Sequence, residues 1–198
     1  GEVHGLLLAA GERRGHQTGN SAGAAGPDAN PLDSQRRSAM ARWSGDFDGW
    51  RAGFALERYD QSLDTDVRSL ANGPGQFAST ESLLAADRER RERMLATLGS
   101  VAPTDWIDDL ELRAFWQGTR TGQDTLQRRR AVPPTQRSPT QRERTFELAQ
   151  WQQGLQAVAR SSALGFAAQQ QWVYGVELTR TRVKERRDGI ERNLDTGA

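Results

Sequence analysis

Apolar residues after Ser138 recur at alternating steps of three and four residues, the spacing of one face of an α-helix. Ser138-Pro139-Thr140-Gln141 precedes them, with an N-cap residue, a proline suited to the first helical position and a glutamine able to close a capping box. The pattern therefore predicts one very long C-terminal helix over about residues 139–190. Its apolar stripe comprises Leu148, Trp151, Leu155, Val158, Trp172, Val176, Val183 and Ile190.

A second stripe lies between Ser38 and Leu70, where bulky residues follow the heptad spacing of a coiled coil. Its first members are Met40, Trp43, Phe47, Trp50 and Phe54. Small residues four apart accompany them, which would let a second helix approach closely. Each glycine costs about 1 kcal/mol in a helix interior. A local break or a turn-rich aromatic loop around Gly45–Gly53 is therefore the alternative.

Two shorter helices are predicted between these stripes. Ser79 or Thr80 caps the first, which ends at Gly99. Pro103-Thr104-Asp105 begins the second, which ends before Pro133-Pro134. No segment alternates apolar and polar residues with enough β-branched residues to predict a strand.

Residues 11–36 are rich in Gly, Ala, Asn, Ser and Pro and carry no hydrophobic period. We therefore predict a flexible arm over residues 1–36. The expected fold is all-α: an elongated helical bundle of about four helices over residues 37–198, with a very long C-terminal helix and a flexible N-terminal arm.

Composition narrows the candidate classes. Only 35% of the 198 residues are hydrophobic and the net charge is +1, which suits an extended protein without strong attraction to polyanions. The absence of cysteine excludes disulfides, thiolate metal sites and a cysteine nucleophile. No apolar run approaches the ~20 residues of a membrane-spanning helix, so no transmembrane segment is expected. The composition does not indicate a cellular compartment, and Leu6–Ala10 could be the remnant of a signal peptide or anchor.

Candidate chemistry is sparse. Asp105, Asp108 and Asp109 would share a helix face that could hold a divalent cation, but the preference for acids in the first turn of a helix explains them more simply. The two histidines, His4 and His16, lie in the predicted arm. We therefore expect no catalytic residue, no metal and no cofactor, and a protein that is not an enzyme.

An arginine-rich segment is the best candidate for phosphate binding. Arg128, Arg129 and Arg130 lie within a basic stretch from Arg120 to Arg144. No aromatic residues are interleaved for base stacking, so a solvated face is favoured over nucleic-acid binding.

The preferred function is a non-enzymatic helical assembly protein that contacts other subunits in a homo- or hetero-oligomer, as in virions, secretion machines or scaffolds. The predicted protein-contact residues are Trp43, Phe47, Trp50, Trp151, Leu155, Trp172 and Val176. One alternative is a helical sensor or ligand-binding ectodomain of a membrane-anchored protein. A weaker alternative is nucleic-acid binding through the Arg120–Arg144 segment.

Overall fold

A computed structural model of the chain describes residues 3–19, 30–104, 107–134, 136–162 and 171–197. These residues form one seven-stranded antiparallel sheet in which the strands lie in chain order. The strands are β1 (Val3–Gly19), β2 (Asn30–Phe47), β3 (Trp50–Asp66), β4 (Thr80–Thr104), β5 (Ile107–Arg129), β6 (Thr140–Ser161) and β7 (Trp172–Asn193).

The predicted all-α fold, helical bundle and coiled coil are wrong. The described residues contain no α-helix, and their only helical elements are 3₁₀ turns at Arg68–Leu70 and Gly75–Phe77. The stretch predicted as one long helix forms β6 and β7, and the predicted arm contains β1 and the start of β2. Residues 20–29 of that arm and 163–170 of that helix lie outside the described residues. Within the described chain, no helix has the length and apolarity needed to cross a membrane.

The helical prediction failed because a step of four residues keeps a side chain on the same side of a strand as well as of a helix. The residues between the bulky positions show whether such a segment is a helix or a strand. Around Trp151 and Leu155 the other odd-numbered positions include Ala149 and Ala157, whereas Gln150 and Gln152 occupy even positions. This is an alternation of period two whose apolar members include small alanines.

Turn residues fix the register of β2 against β3. Phe47 pairs with Trp50, and Asp48 and Gly49 between them have φ values of 44° and 78°. Two consecutive positive φ values are typical of the tight turns that match the twist of a hairpin. The small-residue segment thus contains a break, as the alternative interpretation held, in the form of a two-residue turn.

The sheet is a single layer. Its strands make their main contacts with the neighbouring strands in sequence, and the 3₁₀ turn at Arg68–Leu70 touches only the ends of β2 and β4. Among the described residues, Ala159 alone is a buried hydrophobic residue. The fold therefore lacks the apolar interior that normally stabilises a sheet in water.

The close packing at Gly154 can be tested by substitution. A Cβ atom there would lie 2.6 Å from the Phe115 ring and 2.8 Å from the carbonyl oxygen of Leu178, whereas a Cβ at Gly122 would be 3.9 Å from its nearest neighbour. We expect Gly154→Ala to lower the free energy of unfolding by about 1–3 kcal/mol because the paired strands must move apart. The control Gly122→Ala should change it by less than about 1 kcal/mol. Denaturant titration followed by tryptophan fluorescence measures both, and equal effects would contradict this register.

Candidate interaction surface

One side of the sheet carries a continuous band of apolar side chains, which we call the apolar face. The cross-strand register aligns Leu6, Trp43 and Phe54 with Ala96, Ala114, Leu155 and Leu178 in one row that crosses all seven strands. Neighbouring rows have the same character. They include Leu8, Ala41, Leu56, Met94 and Trp116 on one side, and Ala52, Leu98, Leu112, Ala157 and Val176 on the other.

The apolar face has a definite height along the strands. In β6 it runs from Ala159 to Trp151, a stretch of about 27 Å at ~3.4 Å per residue. In β3 it runs from Trp50 to Leu56, beyond which the same side carries Arg58 and Asp60. The apolar side chains therefore form a belt that Gln153 interrupts in β6 and that ends at Leu178 in β7, where Arg180 follows on the same side.

Aromatic residues mark both margins of this belt. The row nearest the β2–β3 turn contains Phe47, Trp50 and Tyr174, and Trp172 lies one row beyond them. At the opposite margin are Trp116 and Trp151. Trp43 and Phe54 instead pair with each other in the middle row.

The apolar face is exposed even in the middle of the sheet. The exposed fractions are 39% for Phe54, 43% for Met94 and 38% for Leu112, although each lies on a strand with neighbours on both sides. No other element of the described chain covers them. A large apolar surface left open in this way marks a contact with another molecule or with lipid.

The opposite side of the same strands, the polar face, has a different composition. Across β3 and β4 it presents Gly53, Glu57, Arg93 and Thr97, and β6 adds a run of glutamines at positions 150, 152 and 156. Apolar residues also lie there, among them Leu7, Met40 and Val158, and Leu95 pairs with Phe115, whose ring lies over Gly154. Most of these positions are half-buried, so the sheet exposes its apolar face at least as fully as its polar one.

Small side chains create a shallow furrow in the middle of the apolar face. Ala96 pairs with Ala114, and larger residues rise on both sides of them. The furrow has a volume of about 470 Å³, and its lining includes Leu98, Leu112, Leu155 and Leu178. Its shape and composition suit a flexible hydrocarbon chain.

All the residues predicted to contact protein partners lie on the apolar face. They are Trp43, Phe47, Trp50, Trp151, Leu155, Trp172 and Val176. Sequence reasoning found them because steps of four preserve the side of a strand, but it missed the contributions of β1, β4 and β5. In β4 and β5 the available signal was the recurrence of apolar residues at steps of two, as at Met94, Ala96 and Leu98 and at Leu110, Leu112, Ala114 and Trp116. Protein contact through these residues stays a prediction.

The structure distributes the predicted phosphate-binding arginines over different environments. Arg128 and Arg129 are neighbours in β5, so their side chains lie on opposite sides of the sheet. Arg129 donates to the Ser79 hydroxyl at 3.0 Å, and Arg130 donates to the Ala78 carbonyl at 3.1 Å. Arg128 is exposed. The three do not converge on one point, and phosphate binding by them stays a prediction.

The ends of the strands far from the apolar belt are joined by charged contacts. Arg142 donates to Glu191 from Nε at 2.9 Å and also from Nη2, and the Thr140 hydroxyl donates to the same carboxylate at 2.8 Å. The hydrogen bond from Arg142 is the main reason why the pKa of Glu191 lies below its usual value, with Thr140 and the charge of Arg129 acting in the same direction. This network ties β7 to β6 outside the belt.

The acidic residues considered as metal ligands are divided among separate ion pairs. Asp109 accepts a hydrogen bond from Arg160 at 2.7 Å, and Glu111 accepts one from Arg113. Asp105 lies outside the described residues. His16 contacts Asp33 at 2.7 Å on an exposed strand end. Within the described ranges, no three acidic or histidine side chains form a group that could hold a metal ion.

Comparison with known proteins adds no identification. No protein-family model matches the chain, and no curated protein matches its sequence.

The Glu191 network predicts how the β6–β7 end responds to acid. The pKa of Glu191 is lower in the folded chain than in the unfolded chain. The ionised carboxylate therefore stabilises the fold at pH values above its unfolded pKa, and this stabilisation is lost as the pH falls through its folded pKa. We expect the protection factors of the amides near Gln141 and Arg192, which compare exchange with that of an unstructured chain at the same pH, to fall in that acidic range. Glu191→Gln should raise exchange there already at neutral pH and remove part of the acid response. Glu147→Gln, on the same strand pair, is the control, and an equal effect of both variants would contradict this role.

Proposed function

We propose that this protein is a non-enzymatic, membrane-embedded structural sheet that crosses a lipid bilayer with its strands. In this arrangement the apolar face contacts acyl chains and the polar face borders an aqueous or protein-filled space. The proposal replaces the expectation of no transmembrane segment, which rested on a search for a helical apolar run.

The uncovered apolar face is the observation that carries the proposal. An antiparallel sheet in water turns its apolar side towards a core and its polar side towards solvent. Here Phe54, Met94 and Leu112 are exposed on central strands, and the described chain supplies no second layer to cover them. In a bilayer the same surface is solvated by hydrocarbon, so it carries no hydrophobic penalty.

The dimensions of the belt support lipid as the occupant. Nine residues of β6, from Trp151 to Ala159, match the ~9–11 residues of a tilted strand that crosses a bilayer. Aromatic side chains at both margins are typical of strands that meet the two lipid–water interfaces.

Backbone chemistry is compatible with this environment. Hydrocarbon offers no hydrogen-bond partners, so every backbone amide and carbonyl within it must be paired inside the protein. Strands β2 to β6 each pair on both sides along their apolar segments. The interior strands therefore meet the requirement without water.

A charge placed on either face distinguishes lipid contact from water contact. Leu155 lies in the middle row of the apolar face, and the adjacent Gln156 lies on the polar face. We expect Leu155→Arg to destabilise the inserted state by about 2–4 kcal/mol, since the arginine would lie near the bilayer midplane. Gln156→Arg should have little effect. Flotation with phosphatidylcholine vesicles, combined with a denaturant titration in those vesicles, measures both variants.

Two results would contradict the proposal. One is failure of the unchanged chain to associate with vesicles in a form that resists extraction by salt. The other is an equal loss of stability in Leu155→Arg and Gln156→Arg. A stable water-soluble oligomer that buries the apolar face would favour the protein-contact hypothesis instead.

The open edges of the sheet favour a second function, assembly with other protein strands. Within the described sheet, β1 and β7 each have one neighbouring strand, so their outer backbone groups lack a partner strand. Both strands run in the same direction because five others alternate between them. Antiparallel closure of the sheet therefore needs an odd number of added strands, and we propose that such strands pair with these edges in the membrane.

Amide exchange in vesicles tests this edge pairing. If added strands cover the edges, the amides of β1 and β7 within the apolar belt should exchange as slowly as those of β3 and β4. Light scattering in detergent should also give a mass above the 22.0 kDa of one chain. A 22.0 kDa particle whose β1 and β7 amides exchange rapidly would contradict assembly through the edges.

Neither alternative function from the sequence is proposed further. The arginines between Arg120 and Arg144 are divided between both sides of the sheet, with Arg120 on the apolar side and Arg142 and Arg144 on the polar side. The helical sensor required a pocket between helices, which the described strands do not form.

A further inference from the structure

A band of cations borders the apolar belt on the same side of the sheet, at the margin marked by Trp116 and Trp151. We call the next three rows the basic band. They contain nine cations and four carboxylates, a net charge of +5. The cations are Arg14, Arg37, Arg58, Arg88, Arg90, Arg120, Arg182, Lys184 and Arg186, and the carboxylates are Glu12, Asp60, Glu92 and Glu147.

Over β1 to β4 these charges are largely matched within the protein. Asp60 accepts from Arg58 and Arg90 at 2.7 Å each, and Glu12 accepts from Arg14 at 2.7 Å. Glu92 lies 3.5 Å from Arg58. Such exposed pairs contribute little stability. They reduce the net charge of this half of the basic band to +2, and Arg88 is paired with Asp64 just outside the band.

Over β5 to β7 the cations are not matched. Arg120, Arg182 and Lys184 are exposed and have no acidic partner among the described residues. Arg120 and Lys184 flank Ala149 in one row, and Arg182 lies beside Trp151 in the row nearer the belt. The Cα atoms of Arg120 and Lys184 are about 10 Å apart across two strand spacings, and that of Arg182 is about 12 Å from that of Arg120.

The small side chain of Ala149, between Arg120 and Lys184, leaves room for a ligand between these two cations. On the side nearer the belt this space is bounded by the rings of Trp116 and Trp151, which lie against Gly118. Acidic residues return further out on the same side, at Asp64, Asp124 and Asp188. The unmatched cations thus lie at and just outside the margin of the apolar belt, and the exposed Arg180 lies one row further in, beside Gln153.

We propose that Arg120, Arg182 and Lys184 bind the phosphate groups of anionic lipids at the membrane surface. This inference rests on the proposed insertion of the apolar belt into a bilayer, which places these residues at the level of the headgroups. Guanidinium groups bind phosphate oxygens in a bidentate manner, and the lysine ammonium adds a point charge. Trp151 supplies the amphipathic ring that favours the same interfacial level.

The charge balance identifies which lipids are bound. A net charge of +5 with three unmatched cations is complementary to lipids with net negative headgroups, and zwitterionic headgroups provide no such complement. The interaction should weaken as the salt concentration rises, because both partners are exposed to water.

The test compares partition of the full chain into phosphatidylcholine vesicles and into equal mixtures of phosphatidylcholine and phosphatidylglycerol. The unchanged chain should prefer the anionic vesicles, more strongly at low salt. The variant R120Q/R182Q/K184Q should lose this preference, by on the order of fivefold for each cation removed. The matched control R13Q/R36Q/R93Q removes the same charge from the polar face and should keep it. The variant R120K/R182K/K184R, which conserves charge, should also keep most of the preference.

The outcomes separate this inference from the proposed function. If the unchanged chain enters both vesicles equally, or if both glutamine variants lose the preference equally, the headgroup site is overturned while membrane insertion stands. If the unchanged chain enters neither vesicle, the proposed function fails and the headgroup site fails with it. Normal insertion of R120Q/R182Q/K184Q into phosphatidylcholine shows that the variant is folded.

Discussion

The structure depends on the alternation of side chains along a strand, which places the tryptophans of the described chain and a continuous set of other apolar residues on one side of a single sheet. In water that side requires a second layer, because exposed apolar surface of this extent drives association. The described chain supplies no such layer, and its one buried hydrophobic residue is Ala159. The stability of the fold must therefore come from strand pairing together with an apolar environment that the described residues do not provide. A lipid bilayer meets this condition over the measured height of the belt.

Other features follow from the same constraint. The backbone of the interior strands is fully paired, as hydrocarbon requires. Glycine at position 154 lets the Phe115 ring lie over the strand on the polar side, which keeps a large ring out of the lipid-facing side. Charged residues begin at the margin of the belt and extend along the strands beyond it, where Arg142 and Glu191 join β6 to β7 in contact with water. Each part of a strand thus carries the side chains suited to its level in a membrane.

The sequence grouped residues that lie on one side of the sheet, although the predicted fold was wrong. Trp151 and Leu155, or Trp172 and Val176, are four apart and share one side in both helices and strands, so their grouping was independent of the secondary structure. The error arose because Ala149, Ala157 and the glutamines between them were given no weight in the search for a period. The alanines at odd positions and Gln150, Gln152 and Gln156 at even positions repeat with a period of two. The Gly45–Gly53 segment also carried a correct signal, since its break is the hairpin turn at Asp48 and Gly49. The cross-strand rows could not be predicted, because the register that aligns Arg120 with Lys184 through Ala149 is set by turns and pairing rather than by local pattern.

The central claim is that lipid covers the apolar face, and a scan of single cysteines along residues 150–159 of β6 tests it most directly. The chain has no native cysteine, so each introduced thiol can carry one environment-sensitive label without background. In vesicles, labels at odd-numbered positions should be quenched by brominated acyl chains, and labels at even-numbered positions should be quenched by a water-soluble quencher or shielded from both. A strict period of two in lipid contact is the expected result. Uniform access to the water-soluble quencher, or a period near 3.6, would contradict the account.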